Sequence, residues 1–210
     1  MARLLNGING PIQGTVGTVI GSSWKGFPYI KSRPRKRKKK AHKAEAANRS
    51  KFAAAHRWLK PLLKFVREGF RGYAPKVEGF NAAKSRLLLY AFEGEGADRH
   101  INPALVQVSY GDLPMSGNIA VEKSAAGQLL FTWDATTPEG GHAKDQLMML
   151  AYDSENRKAY LNTLGQFRSA GSDILFTDPA HGKSYHLYCA FVAADRSGQS
   201  DSVYLGMITM

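Results

Sequence analysis

The chain has 210 residues, 43% hydrophobic and 22% charged, with ten Phe, nine Tyr and three Trp, which excludes a disordered polypeptide and allows one large domain or two small ones. A single cysteine excludes an internal disulfide and a cysteine-based metal cluster. The net charge of +12 is uneven, because residues 1–100 hold 22 Lys and Arg against 6 acids while 101–210 hold 7 against 11, so a basic part that meets an acidic partner is expected.

Residues 1–30 form a glycine-rich β segment. Val16, Val19 and Ile20 favour extended structure. A short strand is expected around Gly14–Ile20, a turn near Gly21–Ser23 and a second strand around Trp24–Lys31. Gly7, Gly10, Pro11, Gly14, Gly17 and Gly21 interrupt any apolar run of the length that a secretory signal needs. No stretch reaches the ~18 apolar residues of a membrane helix. The expected location is the cytoplasm or an assembled particle.

Residues 31–50 form a basic arm. Lys31, Arg33, Arg35, Lys36, Arg37, Lys38, Lys39, Lys40 and Lys43 stand close together with no acid among them. Charges this dense repel one another, and Pro34 keeps Arg33 out of the helical region. Arg49, Lys51 and Arg57 extend the candidate nucleic-acid-binding set, and Lys60, Lys64, Arg67 and Arg71 continue it. Each cation set beside a phosphate releases condensed counterions, so binding should be salt-sensitive. No base-reading motif accompanies these residues, so nonspecific binding is expected.

Residues 51–95 form a helical segment. Ala, Lys, Arg and Glu dominate from Ala41 to Arg57. Phe52, Ala55, Leu59, Leu62, Leu63, Val66 and Phe70 are spaced for one apolar face. Pro61 should kink or restart the helix, and Gly69 or Gly72 should end it. A second helix is expected from Phe80 to Phe92, with Asn81 as its cap and Ala83, Leu87 and Tyr90 or Ala91 as its stripe. Trp58 and Tyr73 are candidates to stack on bases or to pack inside.

Residues 101–210 form a β-sandwich domain. Strands are expected at Leu105–Tyr110, Asn118–Lys123, Gln128–Trp133, Gln146–Asp153, Lys158–Leu164, Ser172–Phe176, Ser184–Ala193 and Ser202–Met207. Turn residues separate them, and seven or eight short strands in this length signal a sandwich. Cys189 lies in an apolar run and reads as a core thiol.

No catalytic constellation is legible. Lys25 is followed by Gly26, which breaks the phosphate-loop pattern, and Gly14–Gly17 lacks the dinucleotide fingerprint. His42, His56, His100, His142, His181 and His186 have no metal-ligand spacing, and there is no G-x-S-x-G. The aspartates sit where turns need them. No enzyme activity, cofactor, metal or small-molecule substrate is expected.

Two resemblances complete the reading. LLFTWDA, QLMMLAYD, KAYLNT and SYHLYCAFVAADRSGQSDSVYLGMI, with Tyr185, Tyr188 and Phe191 as core or corner aromatics, resemble a fibronectin type III or immunoglobulin-like sandwich. GTVGTVIGSSWKGFPYIKSRPRK, KFAAAHRWLKPLLKFVREGF, GFNAA and SVYLGMIT resemble an uncharacterised family of roughly 200-residue Bacteroidota proteins. That resemblance implies a continuous fold and no activity. The chain departs from it in the basicity of Arg35–Lys40, where relatives carry a neutral linker.

The fold expected is therefore α+β: glycine-rich strands, a basic arm, short helices and an immunoglobulin- or fibronectin-III-like sandwich. The function expected is a non-enzymatic, self-assembling structural protein that binds nucleic acid nonspecifically, as in a virion or nucleoprotein. The alternative is a protein–protein module that self-associates by strand addition, its arm contacting acidic protein surface.

Overall fold

The computed structural model describes residues 2–3, 10–35, 42–96, 98–179 and 182–210. They divide into two compact units, Met1–Lys43 and Ala44–Met210.

The first unit is an antiparallel sheet of β1 (Ala2–Arg3), β2 (Gly14–Val16), β3 (Val19–Trp24) and β4 (Phe27–Ser32), ordered β1-β4-β3-β2. The turns differ from expectation. The chain reverses at Gly17–Thr18, between the paired Val16 and Val19, and again at Lys25–Gly26, between the paired Trp24 and Phe27. Residues 21–23, expected to turn, lie inside β3. The cause is local: Lys25 and Gly26 take φ of 47° and 83°, the two left-handed residues that a type I′ hairpin demands. Lys25 and Gly26 thus form a hairpin tip, with Trp24 at its entry. Both faces of this sheet stay open enough to leave Val16 69% and Trp24 56% exposed.

The second unit opens with α1 (Lys43–Leu59), a 3-10 turn at Lys60–Leu62 and α2 (Leu63–Gly69), then α3 (Gly79–Tyr90). Pro61 occupies the 3-10 turn, near the start, where a missing amide is tolerated. The buried stripe is Ala55, Trp58, Leu59, Leu62, Phe65, Val66 and Phe70. Phe52, expected within it, is 53% exposed. Asn81 does not cap α3: Glu78 precedes the helix and supplies no side-chain cap bond. The open choice in the second stripe resolves to Ala91, buried, over Tyr90, exposed.

After a two-strand ribbon, β5 (Phe92–Glu93) and β6 (His100–Ile101), come β7 (Ala120–Ala125), β8 (Gln128–Thr132), β9 (Gln146–Asp153), β10 (Lys158–Asn162), β11 (Ser172–Phe176), β12 (Ser184–Val192) and β13 (Val203–Thr209). They form sheets of order β11-β8-β7 and β10-β9-β12-β13, every pairing antiparallel. This is a seven-stranded, fibronectin-III-like sandwich inside an α+β fold. The strand expected at Leu105–Tyr110 is absent, because residues 103–105 form a 3-10 turn and the next five join no ladder.

Two cores hold this unit. Leu147, Met149, Leu187, Cys189 and Phe191 face Leu129, Phe131 and Leu175 across the sandwich. Met148, Leu150, Tyr152, Tyr188 and Ala190 point the other way and pack with Trp58, Leu62, Phe65 and Leu87 of the helices. The larger sheet is therefore buried on both faces, which is why β9 and β12 read as unbroken apolar runs. Burial pushes the Cys189 thiol up to about 12, as an inert core thiol should be.

One charge lies deep in this unit. Arg168 is fully buried, its guanidinium 4.0 Å from the Phe191 ring centroid. It donates to Ser116 Oγ at 2.7 Å, the Pro114 carbonyl at 2.8 Å and Asp145 Oδ2 at 3.1 Å. Its carbonyl accepts from Trp133 Nε1 at 2.7 Å. Burial lowers the Arg168 pKa and Asp145 opposes the shift.

Candidate polyanion-binding surface

The basic residues separate by unit. In the first, Lys31 ends β4 with its ammonium 5.8 Å from the Tyr29 ring centroid, and Arg33 and Arg35 follow, both exposed. The Arg33 backbone amide donates to the Thr18 carbonyl at 2.8 Å, fixing the start of the arm against the first hairpin turn. Lys31, Arg33 and Arg35 line an open hollow of about 670 Å³ with Thr18, Ile30 and Pro34. Lys36, Arg37, Lys38, Lys39 and Lys40, the densest part of the expected site, lie outside the described residues.

In the second unit, the core stripe of α1 and α2 forces the intervening positions outward. Arg57, Lys60, Lys64 and Arg67 follow one another at spacings of three, four and three and are all exposed. None of the four makes an ion pair among the described residues. Arg49 is exposed but bonds to Glu45 at 2.5 Å, and Arg71 to Glu68 at 2.8 Å. Lys43 starts α1, exposed. Lys51 does not join the stripe: it is half-buried, its ammonium 4.9 Å from the Phe92 ring centroid. Of the three cations expected here beyond the arm, Arg57 alone stands on the unpaired stripe.

Trp58 is not a stacking platform. It packs edge-on against Tyr152 with centroids 4.8 Å apart. Tyr73 is exposed and belongs to a cluster that the sequence did not suggest. Its ring meets Tyr110 at 5.4 Å, and the Arg86 guanidinium lies 4.1 Å from the Tyr110 centroid and 5.4 Å from that of Tyr90. Gly69 positions this cluster. A Cβ there would strike the Val108 carbonyl, so glycine lets the 108–110 segment approach α2. The Gly69 carbonyl then accepts from the Tyr110 amide at 2.8 Å and from Ser109 Oγ at 3.0 Å.

No group of three or more His, Cys, Asp or Glu that could hold a metal ion occurs among the described residues. No helix among them is long and apolar enough to cross a membrane. Fold and surface define a helix-capped β-sandwich protein with a preceding antiparallel sheet and an exposed basic stripe.

The chain belongs to a family of unknown function, DUF6266, whose model matches residues 11–206. No curated protein matches it. Among solved structures it is similar to the fn3 domain of human collagen alpha-1(XX) chain, at 16% identity over 47% of this chain and 83% of that one, with a TM-score of 0.33.

Proposed function

We propose that this protein is a non-enzymatic structural protein that binds nucleic acid through its phosphates, without sequence preference. The observation that carries the reading is the stripe of Arg57, Lys60, Lys64 and Arg67, four exposed cations three or four residues apart along α1, the 3-10 turn and α2, with no acidic partner among the described residues. Lys31, Arg33 and Arg35 supply a second basic surface, continued in sequence by Lys36–Lys40. Phosphate contacts of this kind position a nucleic acid without reading its bases.

The test is the salt dependence of binding to duplex DNA, followed by fluorescence anisotropy. The wild type should bind at ~50 mM salt and weaken steeply as salt rises. Replacing Arg57, Lys60, Lys64 and Arg67 by Gln should make the log–log salt slope shallower by about 3 to 4. No binding of any nucleic acid by the wild type at ~50 mM salt would sink the reading.

A second reading, self-association, is supported by the first unit. Ile12, Val16, Val19, Trp24 and Phe27 are exposed on or beside a small sheet, more apolar surface than so short a segment needs to leave open. Light scattering after nuclease treatment tests it: a strict monomer at all concentrations counts against it.

A further inference from the structure

Between α3 and the segment that follows the ribbon runs a groove of about 380 Å³, lined by Arg86, Tyr90, Leu105, Gln107, Ser202 and Tyr204 among others. Two tyrosines border it, and Tyr90 is 59% exposed. Arg86 is half-buried and held in place: its Nε donates to Gln107 Oε1, and its guanidinium carbon lies 4.1 Å from the Tyr110 ring centroid. No carboxylate pairs with Arg86 among the described residues, and no acid lines the groove. A partly desolvated cation without a counter-ion favours an anionic or π-rich occupant.

The groove also connects to the basic stripe. Arg71 follows Arg67 just beyond the end of α2, and Tyr73 comes two residues later. Tyr73 contacts Tyr110, Tyr110 contacts Arg86, and Arg86 contacts Tyr90. Gln199 Nε2 ties the start of this path to its middle by donating to the Arg71 carbonyl at 3.0 Å and the Tyr110 carbonyl at 2.8 Å. Glu68 pairs with Arg71 at the start of this path, and Asp201 Oδ1 accepts from the Gly111 amide at 3.2 Å beside Tyr110.

We infer that this groove takes a base of single-stranded nucleic acid, stacked on Tyr90, with Arg86 beside its phosphate. The inference rests on the nucleic-acid reading above and adds a preference to it. Phosphates of any strand can meet Arg57 through Arg67, but a single strand alone can turn a base into the groove. Stacking tolerates every base, so the preference is for strandedness and not for sequence.

The experiment compares a labelled oligothymidylate of about 16 residues with a duplex of equal length. The wild type, Tyr90→Ala and Tyr90→Phe are measured at ~50 mM salt. Tyr90 is exposed, so its truncation leaves the core intact. Tyr90→Ala should weaken single-strand binding roughly 5- to 100-fold while Tyr90→Phe stays near wild type and duplex binding is unchanged in all three. Equal single-strand affinity in all three proteins, or equal losses on duplex, would overturn the groove's role while leaving the stripe's phosphate binding standing. So would a Tyr90→Ala protein that loses self-association by light scattering yet keeps single-strand affinity, since the groove is then a protein contact. A wild type that binds neither probe refutes this inference and the reading beneath it together.

Discussion

The two units solve the problem of a β-sheet in opposite ways. In the second, β9 and β12 carry apolar side chains on both faces, and each face has a partner layer: β8 and β11 on one side, the helices on the other. In the first, β2, β3 and β4 mix small, polar and apolar residues, and Val16, Val19, Trp24 and Phe27 remain exposed. A sheet that has found its partners within the chain is a scaffold. A sheet whose side chains stay open depends on turn geometry for its shape and offers surface to something else.

The largest expected effect separates the two directly. Leu150→Ala removes a fully buried side chain from the helix-facing core and should cost the second unit about 2–5 kcal/mol in denaturant unfolding. Val16→Ala should change the first unit by no more than about 0.5 kcal/mol, read by hydrogen exchange of its strand amides. Comparable losses at both sites would break the comparison, because Val16 would then be covered in solution by a partner.

A smaller effect sharpens the claim that turns shape the first unit. Gly26→Ala places a Cβ at φ 83° in the Trp24–Phe27 hairpin and should cost about 1–2 kcal/mol, with exchange accelerated in β3 and β4. Gly26 has open space around it, so the penalty comes from the backbone and not from a clash. An unchanged exchange pattern would show that packing, and not the type I′ turn, holds the hairpin.

The strands of the second unit were legible because each apolar run is bounded by turn residues. Gln146–Asp153 and Ser172–Phe176 fall where the pattern put them. Less legible was the layer that covers them. Unbroken apolar runs in QLMMLAYD and LYCAFV imply two-sided burial, yet nothing local says that helices supply the second side. The helical stripe slipped for a related reason. Trp58, three residues after Ala55, already belongs to the buried face of α1 while Phe52 does not, and beyond the 3-10 turn at Pro61 the period shifts so that Phe65 joins the core. At the candidate surface, charge was readable from residue identity alone. The tyrosine cluster was not, because Tyr73, Tyr90 and Tyr110 belong to three separate segments that meet through folding.

The smallest effect concerns pH, and it too falls on one unit. His186 sits on β12 opposite Tyr152, half-buried, with Nδ1 3.1 Å from the Tyr204 hydroxyl. Desolvation lowers its pKa below the ordinary 6.5, and the charge of Asp153 opposes the shift without cancelling it. The unfolded chain therefore takes up a proton before the folded one does. As pH falls below 6.5, His186 favours unfolding progressively, until the folded-state pKa is passed. His186→Gln keeps a hydrogen-bonding side chain and removes the titration. Its unfolding free energy should be flatter than that of the wild type just below pH 6.5, with the two curves parallel above it. The carboxylates common to both proteins cancel in the difference. If the two curves stay parallel on the acid side as well, His186 is hydrated in solution. The sheet that packing closes on both faces would then be open at the β12–β13 bulge between His186 and Tyr188.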